Sequence, residues 1–286
     1  MRHRFWNKNH GKSKRLWILL SLAVLLVLGA VFAEKLCPYD PYAQDLSRAL
    51  LPPDANHWMG TDTYGRDMLS RVIIGGRASI LSTLALVAMT AIAGTVAGVF
   101  CGYCGGMLDT IVMRISDICL AFPGLVFAMA VAAVLGGGIQ NAVIALALVS
   151  WPKYSRIARS QTLSIKRAPY VQAAILAGDS PAQLMRRHIF PNILGAVLVT
   201  AMLDIGTMMM ELAGLSFLGL GAQIPTAEWG SMMSGGRSML TTYPWVVLSP
   251  GLAIFVSVTV FNLLGDTVRD QLDPRGSRKK TIRGEK

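Results

Sequence analysis

The chain has 286 residues, of which 53% are apolar and only 15% charged, and its mean hydropathy is +0.48. Soluble domains carry about a quarter charged residues, so this composition excludes an ordinary soluble protein and points to a membrane. The net charge of +11 fits either a nucleic-acid partner or a sided membrane topology. The positions of the charges decide between the two.

Residues 1–15 are basic, with Arg2, Arg4, Lys8, Lys12, Lys14 and Arg15 and no acid. Leu16–Ala33 follows as an 18-residue apolar run. It resembles a signal peptide but exceeds the usual apolar length of about 7–15 residues, so an uncleaved membrane anchor is predicted. Gly11-Lys12-Ser13 mimics the end of a phosphate loop, but Trp6 stands where that motif needs its first glycine, so no nucleotide site is read there. Glu34–Arg77 is polar and rich in turn signals, and Met68–Arg77 is expected to lie along the interface as an amphipathic helix.

Further spans are predicted at Ser79–Tyr103, Ile118–Leu135, Ile139–Trp151, Ile193–Leu220 and Trp245–Leu264, making six. Gly94, Gly98, Gly102 and Gly106 recur every four residues and predict a smooth packing ridge. Pro123 is read as a tolerated kink in the third span. Gly136-Gly137-Gly138 is a tight reversal, and the fourth span is expected to run on to about Tyr154 or Arg156. Ala222–Pro244 reads as a polar loop, and the chain closes on a basic tail. The domain division is therefore 1–78 (basic start, first span and external loop), 79–270 (transmembrane domain) and 271–286 (tail). Of Cys37, Cys101, Cys104 and Cys119, three lie in or beside apolar spans and are read as small buried hydrophobes. Cys101 and Cys104 have C-x-x-C spacing, but without a second pair or a histidine cluster no metal or redox site is read there.

With six spans both termini lie on one side. If that side is the cytosol, its segments hold 21 of the 27 Lys and Arg residues, whereas the acids divide evenly. This is the positive-inside pattern. It accounts for the net charge without nucleic acid and places the insertion between the fourth and fifth spans in the cytosol.

That insertion, Lys166–Asn192, carries its own helix punctuation. Pro169 opens a short helix, Gly178 stops it, Asp179 and Ser180 are capping residues, Pro181 opens a second helix, and Pro191 is expected to end it. The small residues Ala173, Ala174 and Gly178 let a partner approach the backbone. A plain helical hairpin and, given Arg186 and Arg187, a DNA-binding helix-turn-helix are the competing readings of this stretch alone.

Asp204 and Glu211 interrupt the fifth span. An ionised carboxylate in hydrocarbon costs about 2.5–3.5 kcal/mol even on insertion scales, so each needs a partner or a water-filled path. Seven residues apart, they share a helix face with Met208 between them. Two readings stay open: ion pairs that fix packing, or a path wall that favours a positive amine or metal. Met202, Met208, Met209 and Met210 could offer thioether ligands but cover every face, so flexible packing is the main expectation.

Gln172-Ala173-Ala174, Gly178 and His188-Ile189-Phe190-Pro191-Asn192 resemble the "EAA" coupling loop of bacterial ABC importer permeases, with Gln172 where the family has Glu and Phe190 where it has Leu. Gly60-Thr61-Asp62, Gly65-Arg66-Asp67, Ser70-Arg71 and Glu211–Gly221 resemble the dipeptide, oligopeptide and nickel permeases. So do Trp229-Gly230, Pro250-Gly251 and Asp273-Pro274. Leu203–Gly206 and Pro225–Gly230 look most similar to the nickel branch. The resemblance implies an all-α membrane protein of type I ABC importer transmembrane architecture, with cytoplasmic coupling helices at Gln172, Ala173, Ala174, Gly178 and Pro191. It implies a bacterial inner-membrane location, a second homologous permease subunit, two ATPase subunits carrying ATP and Mg, and an external substrate-binding protein. No cofactor is expected in this chain, and it is not expected to be an enzyme. Nickel, a metal chelate, a dipeptide or an oligopeptide all remain open as substrate. An intramembrane enzyme is disfavoured because His3, His10, His57 and His188 all lie outside the spans, and an ion-coupled secondary transporter is the alternative of another class.

Overall fold

The computed structural model describes residues 2–272, with side chains from residue 14 onward. The predicted tail lies outside that range from residue 273. The fold is helical: α1 (Arg2–Val31) and the short α2 (Ala33–Leu36) precede α3 (Met68–Cys104), α4 (Gly106–Ala121) and α5 (Gly124–Val134). They are followed by α6 (Ile139–Lys166), α7 (Pro169–Leu176), α8 (Pro181–Leu184), α9 (Phe190–Phe217), α10 (Trp229–Gly236) and α11 (Trp245–Leu272).

Among the described residues, four helices are long and apolar enough to cross a membrane: the segment Lys14–Val31 of α1, α3, the run Pro181–Phe217 that includes α9, and α11. Counting α4 and α5 as one bent span makes five, short of the predicted six. The predicted fourth span falls in α6, whose 28 residues are long enough to cross but whose second half carries Lys153, Arg156, Arg159 and Lys166. Apolarity therefore fails there although length does not.

The glycine ridge is where α3 meets α6. A Cβ on Gly94 would meet Trp151 O and stand 2.7 Å from Tyr154 Cβ; on Gly98 it would strike Ser155 O and Ala158; on Gly102 it would stand 2.8 Å from Thr162 Cβ. Backbones this close gain dispersion contacts that no larger residue would allow. Gly106 is not part of the ridge. It is the first residue of α4, with φ +64°, and a Cβ there would meet nothing within 4 Å.

Three other expectations are corrected. Met68–Arg77 is not an interfacial helix. It is the first part of α3, with Met68, Ser70, Arg71, Val72 and Ile74 buried, because Asp67 caps the helix by accepting from Ser70 N at 2.7 Å. The 78/79 division thus falls inside one continuous helix. Pro123 does more than kink: α4 and α5 meet at 98°, and α4 is tied to α6 by Asp109–Arg159 (2.6 Å) and Asp117–Arg156 (2.7 Å). A residue without an N–H cannot carry a helix across such a fold-back. Finally, the predicted polar loop 222–244 contains the buried α10, whose Trp229 donates Nε1–H to Val72 O at 2.8 Å and packs against Gly75 and Gly76.

The core joins α1, α3, α9, α10 and α11 in one cluster and α3, α5, α6 and α9 in a second. Cys101 and Cys119 are buried free thiols and Cys104 is exposed.

Candidate functional site

The insertion between α6 and α9 is a closed hairpin. Pro169 sits in the first turn of α7. At its other end Gly178 has φ +93°, a region where a Cβ is strained. Gly178 N donates to Ile175 O and Asp179 N to Ala174 O, both at 3.1 Å, which is the paired closure of a Schellman end. Ser180 then caps α8 in a capping box with Gln183. Gln172, standing where the family pattern has Glu, donates Nε2–H to Lys166 O at 2.7 Å and ties α7 to the end of α6.

Pro191 does not stop the second helix. Met185–Ile189 forms a π turn in which Phe190 N donates to Met185 O. The helix continues through Pro191 into α9, the altered bonding of the π turn making room for a residue that donates no N–H. The hairpin is cross-braced by His188 Nε2 and Asp179 Oδ2 at 3.5 Å and by Tyr170 and His188 rings 6.0 Å apart. Val171 and Leu184 are buried, while Ile189 and Ile193 pack against Val99 and Ala158.

Its outer surface is the reverse. Leu176 is 89% exposed, Tyr170 and Ile175 are also exposed, and a Cβ on Gly178 would meet only open space. Ala173 is exposed and Ala174 half-buried. An apolar, small-residue surface on a rigid polar insertion suits a protein partner.

The two intramembrane acids have different surroundings. Asp204 is 3% exposed. It accepts from Tyr154 Oη at 2.9 Å and pairs through its other oxygen with the Lys153 ammonium, both on α6. With its carboxylate buried and held from α6 through both oxygens, Asp204 fastens α9 to α6. Glu211 is half-buried and has neither a hydrogen bond nor an ion pair among the described residues. Met208 lies in the core with Leu86, Leu212 and Leu215 and does not reach the open face; Met209 is buried and Met210 exposed.

At the opposite end, the segment before α3 is held down by buried charges. Asp62 receives Arg66 Nε at 2.7 Å and Arg71 Nε at 3.4 Å. Asp67 pairs with His57 Nδ1 at 2.9 Å, and Trp245 Nε1 reaches Thr61 O at 3.2 Å. Glu228, 1% exposed, caps α10 through Gly230 N and Ser231 N and receives Ser79 Oγ at 3.0 Å. The sequence offered Glu34–Arg77 and Ala222–Pro244 only as external segments that could meet a binding protein and named none of these contacts.

The family of binding-protein-dependent transport system inner membrane components matches residues 94–278. The chain is 45% identical over 260 residues to the probable D,D-dipeptide transport system permease protein DdpC of Escherichia coli K12, covering 91% of this chain and 87% of that protein. It is 42% identical over 257 residues to the nickel transport system permease protein NikC of the same strain, covering 90% and 93%. In fold it is similar to an inward-facing structure of the MetNI methionine ABC transporter, with TM-score 0.58 and 18% identity over 72% of this chain and 98% of that one. The chain belongs to the family of binding-protein-dependent transport system inner membrane components and is a permease subunit of an ABC importer with type I transmembrane architecture. The nickel branch expected from Leu203–Gly206 and Pro225–Gly230 is not singled out, since the nickel and D,D-dipeptide relatives are nearly equal in identity.

Proposed function

We propose that this chain forms half of the translocation path of an importer for a small peptide or for nickel, beside a second homologous permease. Two separate ATPase subunits supply ATP hydrolysis, and an external binding protein delivers substrate. The observation that carries the reading is the α7–α8 hairpin, rigid within and apolar without. Its Gln172, Ala173, Ala174 and Gly178 form the surface that meets an ATPase. Pro191 lets the hairpin's second helix run straight into α9.

The fold suggests how force would pass inward. The hairpin leads directly from α6 into α9, and those helices are cross-linked above it by Lys153, Tyr154 and Asp204. A push on the hairpin would therefore move α6 and α9 together rather than unzip them. Two arrangements of that pair, biased by ATP binding to the partners, would alternate the side to which the path opens. The six-span topology read from the sequence would put both termini and the hairpin in the cytosol, with 21 of the 27 basic residues on that side.

The test is purification in mild detergent. An ATPase should co-purify with the native chain and be lost with Gly178→Asp. Substrate uptake by this chain alone in proteoliposomes, driven by an ion gradient, would contradict the reading.

A further inference from the structure

Glu211 stands on a stripe of α9 that the chain's own helices leave open. Thr207, Met210 and Leu218 are exposed beside it, and a Cβ at Gly214 would meet nothing within 4 Å. A lipid-facing stripe would not hold an unpartnered carboxylate. Lys153 lies near enough to act electrostatically on Glu211. Its side chain is 51% exposed and its ammonium has one carboxylate partner, Asp204, although an ammonium carries three donors. Asp204 itself keeps a second hold through Tyr154, so Lys153 can share its charge without stranding a buried acid.

We propose that Glu211 and Lys153 are two charge-complementary subsites for a peptide-like zwitterion, Glu211 receiving its ammonium end and Lys153 its carboxylate. This rests on the reading of the chain as half of a translocation path. The spacing suits it. Asp204, which marks the level of the Lys153 ammonium, and Glu211 are two turns apart, about 10 Å along α9. An extended dipeptide spans about 7 Å, and the two side chains reach across the remainder. A bare divalent cation would meet attraction at Glu211 and repulsion at Lys153, so the pair discriminates by charge pattern. Subsites of this kind stay weak enough to release what they bind, as passage requires.

The test uses the whole importer, with its second permease, ATPases and binding protein, in proteoliposomes. ATP-dependent uptake of L-alanyl-L-alanine, D-alanyl-D-alanine and nickel ion is compared for the native complex and for Glu211→Gln and Glu211→Asp. The native complex should take up at least one dipeptide. Glu211→Gln should slow it about tenfold or more, the loss of one charge-assisted hydrogen bond, while ATP hydrolysis stimulated by the binding protein stays near native. Glu211→Asp should restore much of the rate. Since Lys153→Gln would strand Asp204, the lysine is tested from the substrate side. The dipeptide's C-terminal amide, compared at equal binding-protein occupancy measured by calorimetry, should move about tenfold more slowly. Uptake of nickel and of neither dipeptide, native-like uptake by Glu211→Gln, or equal rates for acid and amide would each overturn the proposal and leave the permease reading intact. If the native complex shows no ATP-dependent uptake at all, both readings fall.

Discussion

The two polar ends of this chain solve opposite problems. The segment before α3 buries a set of polar contacts within the chain: Asp62 pairs with Arg66 and Arg71, and Asp67 meets His57. The α7–α8 hairpin closes its turn by caps and the Asp179–His188 contact, yet it leaves Leu176, Tyr170 and Ile175 exposed. One end is complete within the chain. The other is finished only as a rigid shape, with its apolar surface unused. Loss of an internal charge at the first end should therefore appear as lost stability, whereas a change on the hairpin should appear as lost communication with a partner.

The largest effect should follow Asp62→Ala. It strands Arg66 and Arg71, both buried, at a cost of about 3–5 kcal/mol. The detergent-solubilised chain should melt well below native and accumulate poorly, and an unchanged melting temperature would break the comparison from its stable side. Next comes Gly178→Asp. A Cβ there meets open space, so the folded chain pays only the left-handed backbone strain of about 1–2 kcal/mol. Membrane levels should stay near native while ATPase co-purification and coupled hydrolysis are lost.

Leu176→Ser should be milder. The residue touches little of its own chain, so stability should not change, but retention of the ATPase should weaken about fivefold or more if it is a contact anchor. A native-like complex would move the docking surface elsewhere on the hairpin. The smallest effect is Ser180→Ala, which removes the cap of α8 for about 1 kcal/mol. Hydrogen exchange at Gln183 N should rise, with ATP hydrolysis nearly unchanged.

What could be read from the sequence was local. Pro169, Gly178, Ser180 and Pro181 announce the hairpin because each fixes its own backbone or caps a helix within three residues. The Gly94–Gly98–Gly102 ridge was legible for the same reason, since its spacing repeats once per helical turn. What escaped depends on distance. The desolvation cost of Asp204 said that it needed a partner, but only packing of α6 on α9 names Lys153 and Tyr154, 51 and 50 residues away. Glu228 looked like an external loop acid because nothing near it in sequence reveals that α10 is buried and Ser79 is its neighbour. The continuation through Pro191 was missed because a π turn, unlike a cap, leaves no residue signature.

The central claim is that the α7–α8 hairpin lies in the cytosol and docks an ATPase. In a chain whose four native cysteines are replaced, Ser180→Cys should resist an impermeant thiol reagent added to intact cells. It should react in inside-out vesicles stripped of ATPase and be protected again when the ATPase is restored. Labelling from outside intact cells would contradict the account.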